Sequence, residues 1–224
     1  KADVFTFAST DKTAKASDLV ALSDKIGAAN FTAAKIETVT GTAADAASGD
    51  IAAALLLAGL ITTNPEVKIS GTVDSAYIKA IIDATTGKVT ATLAADTASN
   101  LAGYLVDASA GQTVSNAINV TVIDDVAATT AANLNTIAKA TTGKVKVDAK
   151  DLTGALADVN EVYFINKSKF TALGNENVTV TGPAASALDV DAIAKATSGV
   201  LTADVSNATA NVLVSQLKNA NAKD

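Results

Sequence analysis

The sequence predicts an α/β fold made by repetition. The expected form is a solenoid of about eight strand–helix rungs, with a parallel sheet on one side and short helices on the other. Three observations predict it. The stretch from Thr129 to Ala149 holds Leu134, Ile137 and Ala138 at helical spacing, then Val145, Val147 and Ala149 alternating with Lys146 and Asp148. Gly143 lies between the halves, where a left-handed residue would end the helix. Similar alternating runs recur along the chain. Finally, these runs pair one apolar face with one polar face. Strands buried on both sides would read as continuous apolar runs.

In order, strands are expected near Val4–Ala8, Ala34–Val39, Val67–Val73, Val89–Leu93, Ile118–Ile123, Val145–Lys150, Val178–Thr181 and Val200–Val205. Thr90 and Thr92 oppose Val89, Ala91 and Leu93, and Asn119 and Thr121 oppose Ile118, Val120 and Val122. Helices are expected between these runs. Ser17–Ile26 places Leu19, Leu22 and Ile26 on one face. Asp50–Leu60 is almost wholly apolar. Ser75–Ala84 points Tyr77, Ile78, Ile81 and Ile82 inward. Thr97–Val106 carries Leu101, Tyr104 and Leu105, Ala187–Ala196 carries Leu188, Ile193 and Ala194, and Thr209–Asn219 carries Val212, Leu213 and Leu217. The segments Ala84-Thr-Thr-Gly-Lys-Val89, Ala140-Thr-Thr-Gly-Lys-Val145 and Ala196-Thr-Ser-Gly-Val200 are the clearest copies. Their glycines, Gly87, Gly143 and Gly199, recur at an interval of 56 residues, which fits a super-repeat of two rungs. The chain is read as a single domain over residues 1–224, irregular over 1–66 and more regular over 67–224.

Composition narrows the function classes. Hydrophobic residues make up 49% but aromatics only 4%, so the core must be built from small and branched side chains. A net charge of −6 without a basic stripe argues against a nucleic-acid partner. Cys, His, Met and Trp are absent, which removes disulfides, thiolate metal sites and imidazole chemistry. The lack of Met, even at position 1, leads us to expect a processed chain or a piece of a larger one, and no secretory leader is apparent. The longest apolar run, Ile51–Ile61, is well short of the roughly 20 residues of a membrane span, so membrane insertion is not expected.

The layout resembles that of leucine-rich repeats, although their fixed leucine and asparagine spacing is missing. The Ala/Thr/Val/Asp-rich phrases over residues 67–224, such as Thr-Ala-Ala-Asn-Leu and Val-Thr-Ala-Thr-Leu, resemble repeat regions of large secreted bacterial surface proteins, including S-layer proteins and adhesins. That resemblance implies an extracellular, structural role. The calcium-binding nonapeptide of such proteins is absent.

Candidate sites are sparse. Gly87-Lys88 and Gly143-Lys144 fail a phosphate-binding loop, because the first glycine is replaced by Ile82 or Ala138 and the residue after lysine is Val. Ser215-Gln-Leu-Lys218 matches the Ser-x-x-Lys motif of penicillin-binding enzymes, whose partner motifs Ser-Asp-Asn and Lys-Thr-Gly are missing. Asp124, Asp125, Glu176, Asp189 and Asp191 could offer oxygen ligands to calcium, against the competing reading of helix caps and solvated turns. No other cofactor is expected. Asn30, Asn119, Asn166, Asn177 and Asn207 each begin an Asn-x-Ser/Thr triplet that could accept sugar. Thr90/Thr92 and Thr179/Thr181 suggest a flat, ice-binding face, or simply solvated strands.

These observations lead us to expect a non-catalytic structural module of a secreted or cell-surface protein: a rigid spacer, lattice element or filament. The alternative is an adhesive module that takes a glycan or protein on its outer sheet. A hydrolase built on loop carboxylates is a third class, which the missing acid–base pair argues against. Partners are expected to be further copies of the chain or neighbouring domains of a larger protein. Phe5 and Phe7 concentrate aromatic surface near the start of the chain and are the expected contact.

Overall fold

The computed structural model describes residues 5–7, 10–57, 60–106, 116–124 and 128–220. It is an α/β structure with a mostly parallel sheet of several strands, a second parallel sheet, and helices. Two compact units are distinguished. One comprises Lys1–Ala94, Tyr104–Val120 and Ala140–Gly143, and the other Ala95–Gly103, Thr121–Lys139 and Lys144–Asp224.

In the first unit, Thr13–Lys15, Thr38–Thr42, Glu66–Val73, Val89–Leu93 and the start of Ala117–Ile123 lie side by side in chain order. Each is parallel to the next. Phe5–Thr6 pairs in parallel with Phe31–Thr32. In the second unit, Thr129–Thr130, Asp151–Ala155, Asn177–Thr181 and Leu201–Thr202 form a four-stranded parallel sheet, again in chain order. Val145–Val147 pairs with Phe170–Thr171, and Asp96–Thr97 with the end of Ala117–Ile123. A doubly wound sheet reverses its strand order at a switch point. These sheets add each new strand beside the previous one.

The alternation read from the sequence is the burial pattern of the strands. Val89, Ala91 and Leu93 are buried, as are Ile118, Val120 and Val122, and Val145, Val147 and Ala149. Thr92, Asn119, Lys146, Asp148, Thr179 and Thr181 are exposed. In-register pairing turns this alternation into rows. Val39, Val67 and Val89 stack in the first unit, and Leu152, Val178 and Leu201 in the second. A register slip of one residue would expose a whole row, so burial fixes the pairing.

Several helices start directly from a strand, with no loop between. Thr38–Thr42 runs into helix Ala43–Ser48, Thr129–Thr130 into Ala131–Ala140, and Asp151–Ala155 into Leu156–Asn160. The last strand residue is also the cap. Thr42 accepts from the Asp45 amide at 3.2 Å while the Asp45 carboxylate takes the Thr42 amide at 2.7 Å, a reciprocal capping box. Thr97, Thr130 and Ser186 accept from the amides of Asn100, Asn133 and Asp189 in the same way. The next residue along, Ala46, Leu101, Leu134 or Val190, is buried.

The corner between helix and strand departs from the sequence reading. Gly143 has no positive φ and is not a left-handed terminator. What requires glycine is space. A Cβ on Gly143 would lie 2.2 Å from the Ile118 carbonyl oxygen. At Gly87 and Gly199 it would lie 2.2 Å from the carbonyls of Pro65 and Glu176. The threonine two residues earlier completes the corner. Thr85, Thr141 and Thr197 are buried and accept from the amides of Gly87, Gly143 and Gly199 at 2.9, 2.9 and 3.0 Å. Their hydroxyls donate to the carbonyls of Pro65, Ile118 and Glu176 at 3.3, 2.8 and 2.6 Å. Threonine therefore ties one turn of chain to the one before it, rather than capping its own helix.

Other boundaries move as well. The second expected strand lies at Thr38–Thr42, later than Ala34–Val39. Helix Asp50–Leu55 ends before Leu60, and a short helix resumes at Leu60–Thr63. Tyr77 and Leu188, expected inward, are 42% and 60% exposed, because Ile78 and Val190 occupy the buried stripe of their helices. The segment Leu156–Ile165, not expected as an element, is a helix whose second half widens to a π turn.

The glycine argument is testable. Gly143→Ala should lower stability by about 1–3 kcal/mol, the range of overpacking a rigid contact. Gly103, inside helix Ala98–Leu105, has nothing within 4 Å of its Cβ position. Gly103→Ala should raise stability by about 0.5–1 kcal/mol. Urea unfolding measures both, and a harmless Gly143→Ala would refute the close-approach account.

Candidate functional site

The polar faces of the two sheets are the most extended candidate surface. In the second unit, pairing places Thr130, Thr153, Thr179 and Thr202 in one row across four strands. Adjacent strands in this row lie about 4.8 Å apart, the parallel strand spacing. Thr181 stands beside Ala155, and Asn177 beside Asp151, with Asn177 Nδ2 donating to Asp151 Oδ1 at 2.9 Å. Thr153 Oγ1 donates to the Thr179 carbonyl at 3.3 Å, so part of the row also fastens the strands. In the first unit, Lys15, Thr40, Lys68 and Thr90 form the equivalent row, and charge interrupts the hydroxyls. A shallow depression of about 340 Å³ opens between Lys15, Ser17, Thr40, Thr42, Asp45 and Ser70. The charged pairs on these faces, such as Lys146–Asp148 at 2.6 Å and Lys68–Glu66 at 3.0 Å, are solvent-exposed and contribute at most about 1 kcal/mol each.

A buried polar cluster lies behind the second unit's sheet. The π turn over Glu161–Ile165 turns Tyr163 inward, where it is 2% exposed. Its hydroxyl donates to Glu176 Oε2 at 2.9 Å, and the same oxygen accepts from the Gly174 amide at 2.8 Å. Glu176 is itself 1% exposed. Burial, then the negative charge of Glu176 and the hydrogen bond to it, push the Tyr163 phenol far above its ordinary value of 10.0. Near the turn, Lys139 pairs with Glu161 at 3.0 Å, and Asn166 Nδ2 donates to the buried Asn135 Oδ1 at 3.2 Å. Asn135 in turn donates to the Asp158 carbonyl at 3.0 Å.

Four of the five carboxylates read as calcium candidates are held by a hydrogen-bond partner. Asp124 accepts from the Lys150 amide at 2.5 Å. Glu176 belongs to the tyrosine cluster. Asp189 bonds Ser186 Oγ at 2.6 Å within its helix cap. Asp191 accepts from the backbone amide of Asn219 at 2.5 Å and from its side chain at 2.7 Å, and these bonds lower its pKa. Asp125 lies outside the described residues. Among the described residues, no three acidic side chains gather into a metal-binding group. Phe5 lies in the strand paired with Phe31–Thr32, and Phe7 is half-buried. No helix among the described residues is long and apolar enough to cross a membrane.

Tyr163 was not singled out in the sequence, and the corner threonines entered only as members of the repeated Ala-Thr-Thr-Gly and Ala-Thr-Ser-Gly segments. A signal for Tyr163 existed: Val159, Val162 and Tyr163 have helical spacing and are all buried. Of the threonine row, Thr179 is readable as an outward strand residue, but its alignment with Thr130, Thr153 and Thr202 depends on register between strands.

The chain matches no family model, no curated protein and no solved structure.

The Tyr163–Glu176 pair has a defined pH signature. Its contribution is complete below the ordinary phenol value of 10.0. Above it the unfolded chain releases the phenol proton while the folded chain retains it, so stability falls as pH rises. The wild-type chain should lose about 1.4 kcal/mol per pH unit more than Tyr163→Phe in that range. At neutral pH the substitution removes a hydrogen bond to a charged acceptor and should cost about 1.5–3 kcal/mol. Denaturant unfolding from pH 7 to 11 measures both effects, and parallel pH profiles for the two proteins would refute the pairing.

Proposed function

We propose that this chain is a non-catalytic structural module of a secreted or cell-surface protein: a solenoid of stacked strand–helix rungs that serves as a rigid spacer or as an element of a surface lattice. One observation carries the reading. Within each sheet the strands pair in chain order, and the same threonine–glycine corner recurs at Gly87, Gly143 and Gly199. Residues repeated within this chain are therefore spent on joining one turn to the next. The outward positions vary between threonine, lysine and aspartate.

Such a frame grows by addition. Inserting a second copy of residues 88–143 after Gly143 adds two rungs, and excising that segment removes two. Each rung contributes one strand spacing of about 4.8 Å. Small-angle scattering should show the particle longer by about 10 Å in the first case and shorter by as much in the second. Circular dichroism per residue should be unchanged. A loss of secondary structure in both variants, or an unchanged length, would overturn the reading. Electron micrographs of the unaltered chain distinguish a lattice element, which forms sheets or filaments, from a spacer, which does not.

A second reading, an adhesive module for a hydroxyl-rich glycan, is favoured by the row Thr130–Thr153–Thr179–Thr202. Glycan-array binding that disappears in Thr153→Arg and Thr179→Arg, with the fold retained, would replace the spacer reading by this one.

A further inference from the structure

Five Asn-x-Ser/Thr triplets occur in the chain, and the structure places them in unlike surroundings. Asn30 donates its amide to the Ile26 carbonyl at 2.9 Å, and the two residues after it form a paired strand. Asn119 lies inside the strand Ala117–Ile123, where it stands opposite Thr92. Asn166 donates to Asn135 at 3.2 Å, and its backbone amide to the Glu161 carbonyl at 2.8 Å. Asn177 opens a strand paired on both sides, donates to Asp151 at 2.9 Å, and accepts from the Val200 amide at 3.0 Å.

Asn207 differs from all four. It is exposed, as are Ala208 and Thr209, and the three residues belong to no strand or helix. Its side chain makes no hydrogen bond to any described residue. Thr209 has an extended backbone, with φ −69° and ψ 153°, and caps the helix Ala210–Gln216 without a side-chain hydrogen bond. Both the amide and the hydroxyl of this triplet are therefore uncommitted.

We propose that Asn207 is an N-glycan acceptor in the folded protein, and that the other four triplets are not. The donor class is a lipid-linked pyrophosphoryl oligosaccharide. The Asn207 amide nitrogen forms a bond to the anomeric carbon, and the anomeric C–O bond to pyrophosphate breaks. The lipid pyrophosphate leaves with the electron pair, and the amide proton passes to a carboxylate base of the transferase. That attack requires the amide to turn away from its resting partners and the triplet to enter the transferase in an extended loop. At Asn207 nothing has to open. At Asn30, Asn166 and Asn177 a side-chain hydrogen bond must break, and at Asn119 and Asn177 a strand must first leave its sheet. In the cell, the modification depends on the secreted or surface location proposed above. Acceptor competence of the folded chain does not.

The test uses the purified, folded chain with a single-subunit archaeal-type oligosaccharyltransferase and its lipid-linked donor, followed by peptide mapping. Short peptides spanning each of the five triplets, in separate reactions, report how well each is accepted without its fold. The expected result is a glycan at Asn207 at a rate close to that of its own peptide. The other four sites should be slower than their peptides by about tenfold or more, as local opening requires. Asn207→Gln and Thr209→Ala should abolish the product, and Thr209→Ser should retain it. A folded chain modified equally well at any other triplet would overturn the proposal. So would a 207 site no faster than the rest, or a 207 peptide that the enzyme rejects. Because the readout is site occupancy, it is independent of the scattering that tests the spacer reading.

Discussion

The tightest constraint in this molecule is the approach of a corner backbone to the strand laid down before it. At Gly87, Gly143 and Gly199 that approach leaves no room for even one carbon beyond Cα. Parallel strands must lie about 4.8 Å apart to share hydrogen bonds. The chain that leaves a helix and starts the next strand must drop to that spacing within a few residues. Glycine allows the descent, and the threonine hydroxyl holds it by bonding the corner amide and the earlier carbonyl together. All three corners bury a polar group, and each hydroxyl has both a donor and an acceptor partner. A buried hydroxyl without them would weaken the corner by about 1–3 kcal/mol.

The unusual composition follows from the same constraint. A layer about 4.8 Å thick gives each turn of chain little depth, and wide side chains would force neighbouring turns apart. Alanine therefore recurs at the first helical position, as at Ala16, Ala98, Ala131 and Ala187, all buried. Branched residues fill the rows between strands. The described exceptions sit where the repetition is irregular. Tyr163 occupies the π turn, and Phe170 a two-residue strand just after it. A π turn places one extra residue in the helical circuit. That extra length lets a large ring reach inward to Glu176.

Much of this fold was legible in the sequence because strand alternation is a local property. Val145, Val147 and Ala149 can be assigned to a buried face without knowing their neighbours. The helical stripe was less legible where two apolar residues compete for it, as with Tyr77 beside Ile78 and Leu188 beside Val190. The corner was misread for a physical reason. Glycine serves both positive φ and close approach, and the two uses look identical in a sequence. Strands of two residues, such as Thr129–Thr130, carry no period at all and are defined only by their partners. The candidate sites fared differently again. Carboxylates can be counted in a sequence, but whether they converge cannot. Asp124, Asp189 and Asp191 prove to be tied to separate backbone and cap partners.

The same distinction bears on function. Positions that fasten one turn to another are nearly the same from copy to copy within this chain: threonine, glycine, a capping hydroxyl, and Asx three residues later. Positions facing water along the strands change freely, from Thr92 to Asn119 to Lys146. A binding site on such a face needs a run of agreement across several strands, because a ligand spans more than one. The row Thr130–Thr153–Thr179–Thr202 is such a run in the four-stranded sheet. The first unit's row, with Lys15 and Lys68 among its threonines, is not. If the chain has an adhesive surface, it belongs on the second unit's sheet. If that sheet binds nothing, the conserved chemistry of the copies is wholly internal, which is the pattern expected of a spacer.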